Sequence, residues 1–123
     1  MAITLNTTLR NARGTAIVTE AGATAKLTVY TAAYAAVLYT STCAAVLGTT
    51  SGGVLTFNAV GNATATGAGV AAIARLFKMD GTTMVIEGLT VGTSGTNIII
   101  TNATIAVNDV ITTSSATITE GNP

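Results

Sequence analysis

Between Leu27 and Ala74 the chain contains no charged side chain. A stretch of that length crosses several secondary-structure elements, and in a soluble domain each would normally present Lys, Arg, Asp or Glu to water. Here the outward positions fall to Thr, Ser, Asn and Gly, or to contacts with other protein. The whole chain repeats the bias: 8% of its 123 residues are charged, against about 25% in an ordinary soluble domain, and the mean hydropathy is +0.61. Ala, Val, Ile and Leu supply that hydropathy, since aromatics are only 4%. Threonine makes up about a fifth of the chain, and its branched side chain favours a pleated, half-buried surface. The length fits a single domain over 1–123, large enough to fold without disulfides or metal.

So apolar a composition raises the question of a membrane. A spanning helix needs about 20 consecutive apolar residues, and the best run, Ala32 to Tyr39, ends at Thr40, Ser41 and Thr42. An outer-membrane barrel needs aromatic girdles, and the chain has no Trp, three Tyr and two Phe. No membrane partner is expected. Met1 to Leu9, without an early basic residue or a compact apolar stretch, does not read as a secretory signal. Five basic and five acidic residues cancel and are scattered, which argues against nucleic acid as a partner. Zero net charge also disfavours a free soluble monomer, so assembly with other protein is expected. Cys43 is the single cysteine, which excludes an intrachain disulfide. With no charged neighbour in sequence to lower its pKa it reads as a buried inert thiol, an intersubunit bridge being the alternative.

The N-terminal segment has its own period. Leu5, Leu9, Ala12 and Ala16 recur at helical spacing, Asn6 or Thr7 is placed to cap and Gly22 to stop, so a short helix is expected near 6–20. After Gly22 the period changes to two. Leu27 and Val29 alternate with Lys26, Thr28 and Tyr30; Leu55, Phe57 and Ala59 alternate with Thr56 and Asn58; Val110, Ala116 and Ile118 take one face and Ile111, Thr113, Thr117 and Thr119 the other. Strands are expected near 26–31, 36–43, 54–60, 70–79, 83–90, 97–101, 103–107 and 110–119. Asp80-Gly81 and Asn108-Asp109 are placed as hairpin turns, and Gly48 to Gly53 and Gly61 to Gly69 read as loops. The pattern predicts a jelly-roll-like antiparallel β-sandwich of about eight strands over 25–119, behind a short N-terminal α-helix. Its edges lack the usual guards: the only proline is Pro123, and Asn97 to Thr101 is an aggregation-prone window when exposed. Neighbouring subunits are the simplest cover.

Histidine is absent, which removes the commonest general base and metal ligand and excludes Cys-His and Ser-His-Asp arrangements. One cysteine with scattered carboxylates does not make a zinc site. Asp80, Glu87 and Asp109 are the carboxylates that could meet for glycoside chemistry, but two sit in turns that favour Asp and Glu87 follows Ile86 on an outward face. Gly48 to Gly53 lacks the Gly-Lys-Ser/Thr of a phosphate-binding loop, and Gly92-Thr93-Ser94-Gly95 reads as a turn rather than an anion nest. Asn-x-Thr triplets at Asn6, Asn62 and Asn102 are chance matches in so Thr-rich a chain. No catalytic residue, metal or cofactor is expected. Arg10 and Arg13, three residues apart, share a helix face; they read as solvated or, with Leu9, as a patch that docks an acidic partner.

Arg75-Leu76-Phe77-Lys78-Met79-Asp80-Gly81-Thr82-Thr83, then Val91-Gly92-Thr93-Ser94-Gly95, then Thr112 to Thr119, resemble a family of small proteins encoded among the virion genes of tailed bacteriophages. Thr4 to Ala12 is similar to that family's opening, where a helix precedes the strands. The chain departs from the family at 32–52, which is Ala-rich and Pro-free where the family tends to carry a Pro-containing loop. The resemblance implies a virion structural protein with no catalytic residues. Together with the composition it leads to a specific expectation: a capsid decoration (cement) protein, homo-oligomeric, made in the host cytoplasm and bound to the major capsid protein on the outer surface of the phage head. The alternatives are a tail or head–tail connector component and, from another class, a carbohydrate-binding or adhesin-like sandwich, against which the scarcity of aromatics counts.

Overall fold

Asn6 opens the first element by accepting the Leu9 N–H on its side chain at 2.8 Å, and Gly22, at φ 71, closes it. Between them lies α1 (Thr7–Ala21), in a computed structural model that describes residues 6–119. Leu5 lies outside the described residues. The strands follow in chain order: β1 (Lys26–Tyr30), β2 (Val37–Thr42), β3 (Gly48–Ser51), β4 (Val54–Phe57), β5 (Ala63–Thr64), β6 (Gly69–Val70), β7 (Ile73–Phe77), β8 (Met84–Gly92), β9 (Ile98–Ile100), β10 (Thr104–Ile105), β11 (Val110–Ile111) and β12 (Thr113–Thr119). Eight of them form one curled sheet in the order β2-β1-β7-β8-β9-β12-β4-β3, and two short ribbons, β10-β6 and β11-β5, complete a mainly β, sandwich-like architecture. One pair departs from the antiparallel expectation, since β8 and β9 run parallel through Val91↔Ile98 and Gly92↔Ile99. Parallel neighbours usually need a long crossover. Here the chain turns back within 93–97 because Asn97 clamps it: Thr90 N–H and Oγ1–H both donate to Asn97 Oδ1, and Asn97 N–H donates to Thr90 Oγ1, each at 3.0 Å.

Period-two patterning holds in β4, β7 and β9, whereas β1 and β2 bury consecutive residues. Leu27, Val29, Leu38, Tyr39, Leu47, Leu55, Leu76, Ile98 and Ile100 are fully or almost fully buried, and Phe57 joins them. Two registers differ from the sequence reading. Thr112 breaks the expected 110–119 strand into β11 and β12, so Ile111 is buried and Val110 is 66% exposed, the reverse of the assignment. β4 ends at Phe57, which leaves Ala59 exposed.

Gly48 to Gly53 is no loop: β3 pairs with β4 through a tight turn at Gly52-Gly53, whose φ values of 60° and 79° suit the mirror-image turns of short hairpins. Likewise, 61–69 contains β5 and the start of β6. The Asp80-Gly81 hairpin joins β7 to β8, but it is wider than a two-residue turn, with Phe77 paired to Met84 and Lys78 N–H bonded to the Thr83 carbonyl. The Asp80 carboxylate holds it open by accepting the N–H groups of Thr82 and Thr83 at 2.8 Å each. Asn108-Asp109 forms a turn, with Asp109 N–H bonded to the Ala106 carbonyl, yet no hairpin; β10 and β11 on either side pair with β6 and β5 instead of each other.

Candidate functional site

The helix meets the sheet on a face its sequence did not advertise. Gly14 and Ala21 are buried, Ile17 and Val18 pack on the core, and the apolar stripe Leu9, Ala12, Ala16 points away from it. Close approach decides this: a Cβ at Gly14 would lie 2.6 Å from Thr50 Cγ2. Nearby, Asn11 Oδ1 accepts the Gly53 N–H at 2.9 Å, and the Arg10 guanidinium lies where a side chain at Gly53 would project. Arg10 therefore packs on the β3–β4 turn of its own chain. Leu9, 46% exposed, and Arg13, also exposed, stay on the outer side of the helix.

A second cluster brings together residues that sequence reasoning did not connect. Tyr30 ends β1, and Tyr34 sits in the 3-10 turn Ala32–Tyr34 that follows. Their rings meet edge to face at 5.2 Å, and the Arg75 guanidinium of β7 stacks 3.8 Å from the Tyr34 centroid and 5.3 Å from that of Tyr30. Glu87 of β8 accepts Arg75 Nε–H at 3.1 Å. This cover explains why Thr28 and Tyr30, expected on the solvent face of β1, are both buried to 8% exposure. The available signals were Gly88, a glycine inside a strand pattern that marks a bulge, and Arg75, the first charge after the uncharged stretch.

The three carboxylates considered for catalysis have separate partners: Asp80 binds Thr82 and Thr83, Glu87 binds Arg75, and Asp109 accepts the Ala106 N–H. The hydroxyl and amide donors around Asp80, led by the Thr83 side chain, hold its pKa down at about 2. Among the described residues no three His, Cys, Asp or Glu side chains come together, and no helix is long and apolar enough to cross a membrane. Cys43 is buried, and desolvation pushes its thiol up to about 11, which leaves it protonated at neutral pH. A shallow groove between the end of α1 and the β7–β8 hairpin is lined by Gly22, Met79 and Asp80 and bridged by Lys78 Nζ and Glu20 Oε1 at 3.0 Å.

Among the described residues the arrangement offers packing surfaces and an aromatic–guanidinium knot, and Asp80, Glu87 and Asp109 stand apart from one another. In comparisons with known proteins, no family model, no curated protein and no solved structure matches the chain.

Proposed function

We propose that the chain is a non-enzymatic structural protein of a tailed-phage particle, acting as a decoration protein that binds the major capsid protein and copies of itself on the head surface. The observation that carries this reading is the outward-turned stripe Leu9, Ala12, Ala16 on α1, flanked by Arg13, on a chain with few charges to keep such a surface solvated. Exposed apolar side chains on a helix face fit a docking role, and interface cores are depleted in charge. Val46, Val70, Met79, Val107 and Val110, each more than half exposed, extend the same character to the strands and loops.

Copy number in purified particles tests the proposal. Hundreds of copies fit a capsid lattice, about six or twelve fit a connector or tail ring, and absence from particles overturns the virion reading. The docking role of the helix is tested by a Leu9→Asp, Arg13→Ala variant binding to capsids that lack the protein. Arg10 stays intact, because its replacement would also uncover Gly53. The exposed charge contributes only about 0–1 kcal/mol, so the expected loss comes mainly from Leu9. Unchanged affinity would remove the helix from the interface.

A further inference from the structure

The connection between β1 and β2 is built as a strap. At its base Thr31 N–H donates to the Ala36 carbonyl and Ala36 N–H donates back to Thr31 Oγ1, both at 3.0 Å. From there the strap leaves its own strands and crosses β7. Its apex lands on β8, where the Tyr34 hydroxyl oxygen accepts the N–H of Gly88 at 2.8 Å.

Two features make this landing unusual. Ala33 and Tyr34 lie at φ 58° and 56°, two successive non-glycine residues in the left-handed region, where the Cβ of an L-residue crowds its own backbone. Within the strap, turn bonds from Tyr34 N–H to the Thr31 carbonyl and from Ala35 N–H to the Ala32 carbonyl, at 3.1 and 3.2 Å, offset part of that strain. Gly88, in turn, is the extra residue of a bulge: Ala74 pairs with Leu89 and Arg75 with Glu87, and Gly88, at φ 81°, is skipped. The bulge turns one N–H out of the ladder, and Tyr34 is its acceptor. Arg75, fixed by Glu87, then holds the Tyr34 ring from below.

We infer that residues 31–36 form a strained latch, closed by the Tyr34–Gly88 hydrogen bond and the Arg75 stack, that opens locally without unfolding the sheet. Opening lets Ala33 and Tyr34 relax to ordinary backbone conformations, frees the Gly88 N–H, and uncovers Tyr30 and Arg75. The strain biases the strap towards opening, and the two side-chain contacts oppose it.

Amide hydrogen exchange tests the latch, read at Gly88 relative to Val29 in the middle of β1, so that any change in global stability cancels. In Tyr34→Phe, which keeps the ring and loses the acceptor, the Gly88 amide should exchange about tenfold faster on this relative scale, as local openings do when a closing bond is removed. Arg75→Lys, which keeps the charge but not the planar stack, should shift it the same way by less. Ala33→Gly should slow it, because glycine tolerates the closed backbone. Chymotrypsin cleavage after position 34 of the native protein should follow the same order. Unchanged Gly88 exchange in Tyr34→Phe, or faster opening in Ala33→Gly, would overturn the inference.

Discussion

Two corners of the sheet are held in different ways. At the β3–β4 end, glycines allow close approach: Gly14 of α1 lies against the Thr50 side chain, Gly48 lies against the Thr56 carbonyl, and Gly53 of the turn admits the side chains of Arg10 and Asn11. At the β1–β7–β8 end, long polar and aromatic side chains span the gaps: Tyr34 to Gly88, Arg75 to Glu87, Asp80 across its own hairpin. The first corner depends on small residues that leave no space. The second depends on charge and hydroxyl groups that leave the backbone room to bulge. Steric fit is insensitive to pH and salt, whereas exposed ionic contacts respond to both, so the two ends should fail under different conditions.

The most damaging test of the tightly packed corner is Phe57→Ala. Phe57 is 8% exposed and belongs to the core cluster, so its truncation should cost about 3–5 kcal/mol, read by urea unfolding. An unchanged midpoint would place the ring outside the core. Gly48→Ala should follow, at about 1–3 kcal/mol, because the new methyl would collide with the Thr56 carbonyl and the strands must part. A neutral Gly48→Ala would mean that the approach is loose and the contrast between the corners is overdrawn.

Tyr39 separates burial from polarity within one side chain. Its ring is completely buried, its hydroxyl has no hydrogen-bond partner among the described residues, and desolvation pushes its pKa up. Tyr39→Phe should therefore raise stability by about 1 kcal/mol, the relief of an unpaired buried hydroxyl. A loss of stability would reveal a bond to that hydroxyl.

The smallest expected effect compares three backbone N–H groups held by two side chains. Asn11 holds Gly53, and Asp80 holds Thr82 and Thr83. Asp80 has its pKa lowered from 3.8 to about 2 in the folded chain. A depressed carboxylate contributes stability above its unfolded pKa and loses it as pH falls through the folded value. Between pH 5 and pH 2 the Thr82 and Thr83 amides should lose protection relative to Gly53, whose acceptor does not titrate. Parallel loss at all three would mean that the hairpin does not depend on the carboxylate.

Much of the fold was written locally. Asn6 and Gly22 bound the helix, alternation of Leu27 with Thr28 and of Leu55 with Thr56 marks strands, and the isolated Cys43 reads as buried because nothing beside it in sequence suggests otherwise. Each of these depends on residues within a turn or two of one another, and short-range chemistry is what a sequence displays. Three features depended on residues distant in the chain. Which helix face turns inward is set where Gly14 closes on Thr50, which leaves the Leu9–Ala16 stripe on the exposed side. Which way Val110 and Ile111 point was decided by the break at Thr112 and by pairing of β11 with β5. The Tyr30–Tyr34–Arg75–Glu87 cluster needed β1, β7 and β8 side by side before its members could meet. Helix caps and alternation are set by the neighbouring backbone, while steric contacts and cross-strand charge pairs exist only after the strands have found their order.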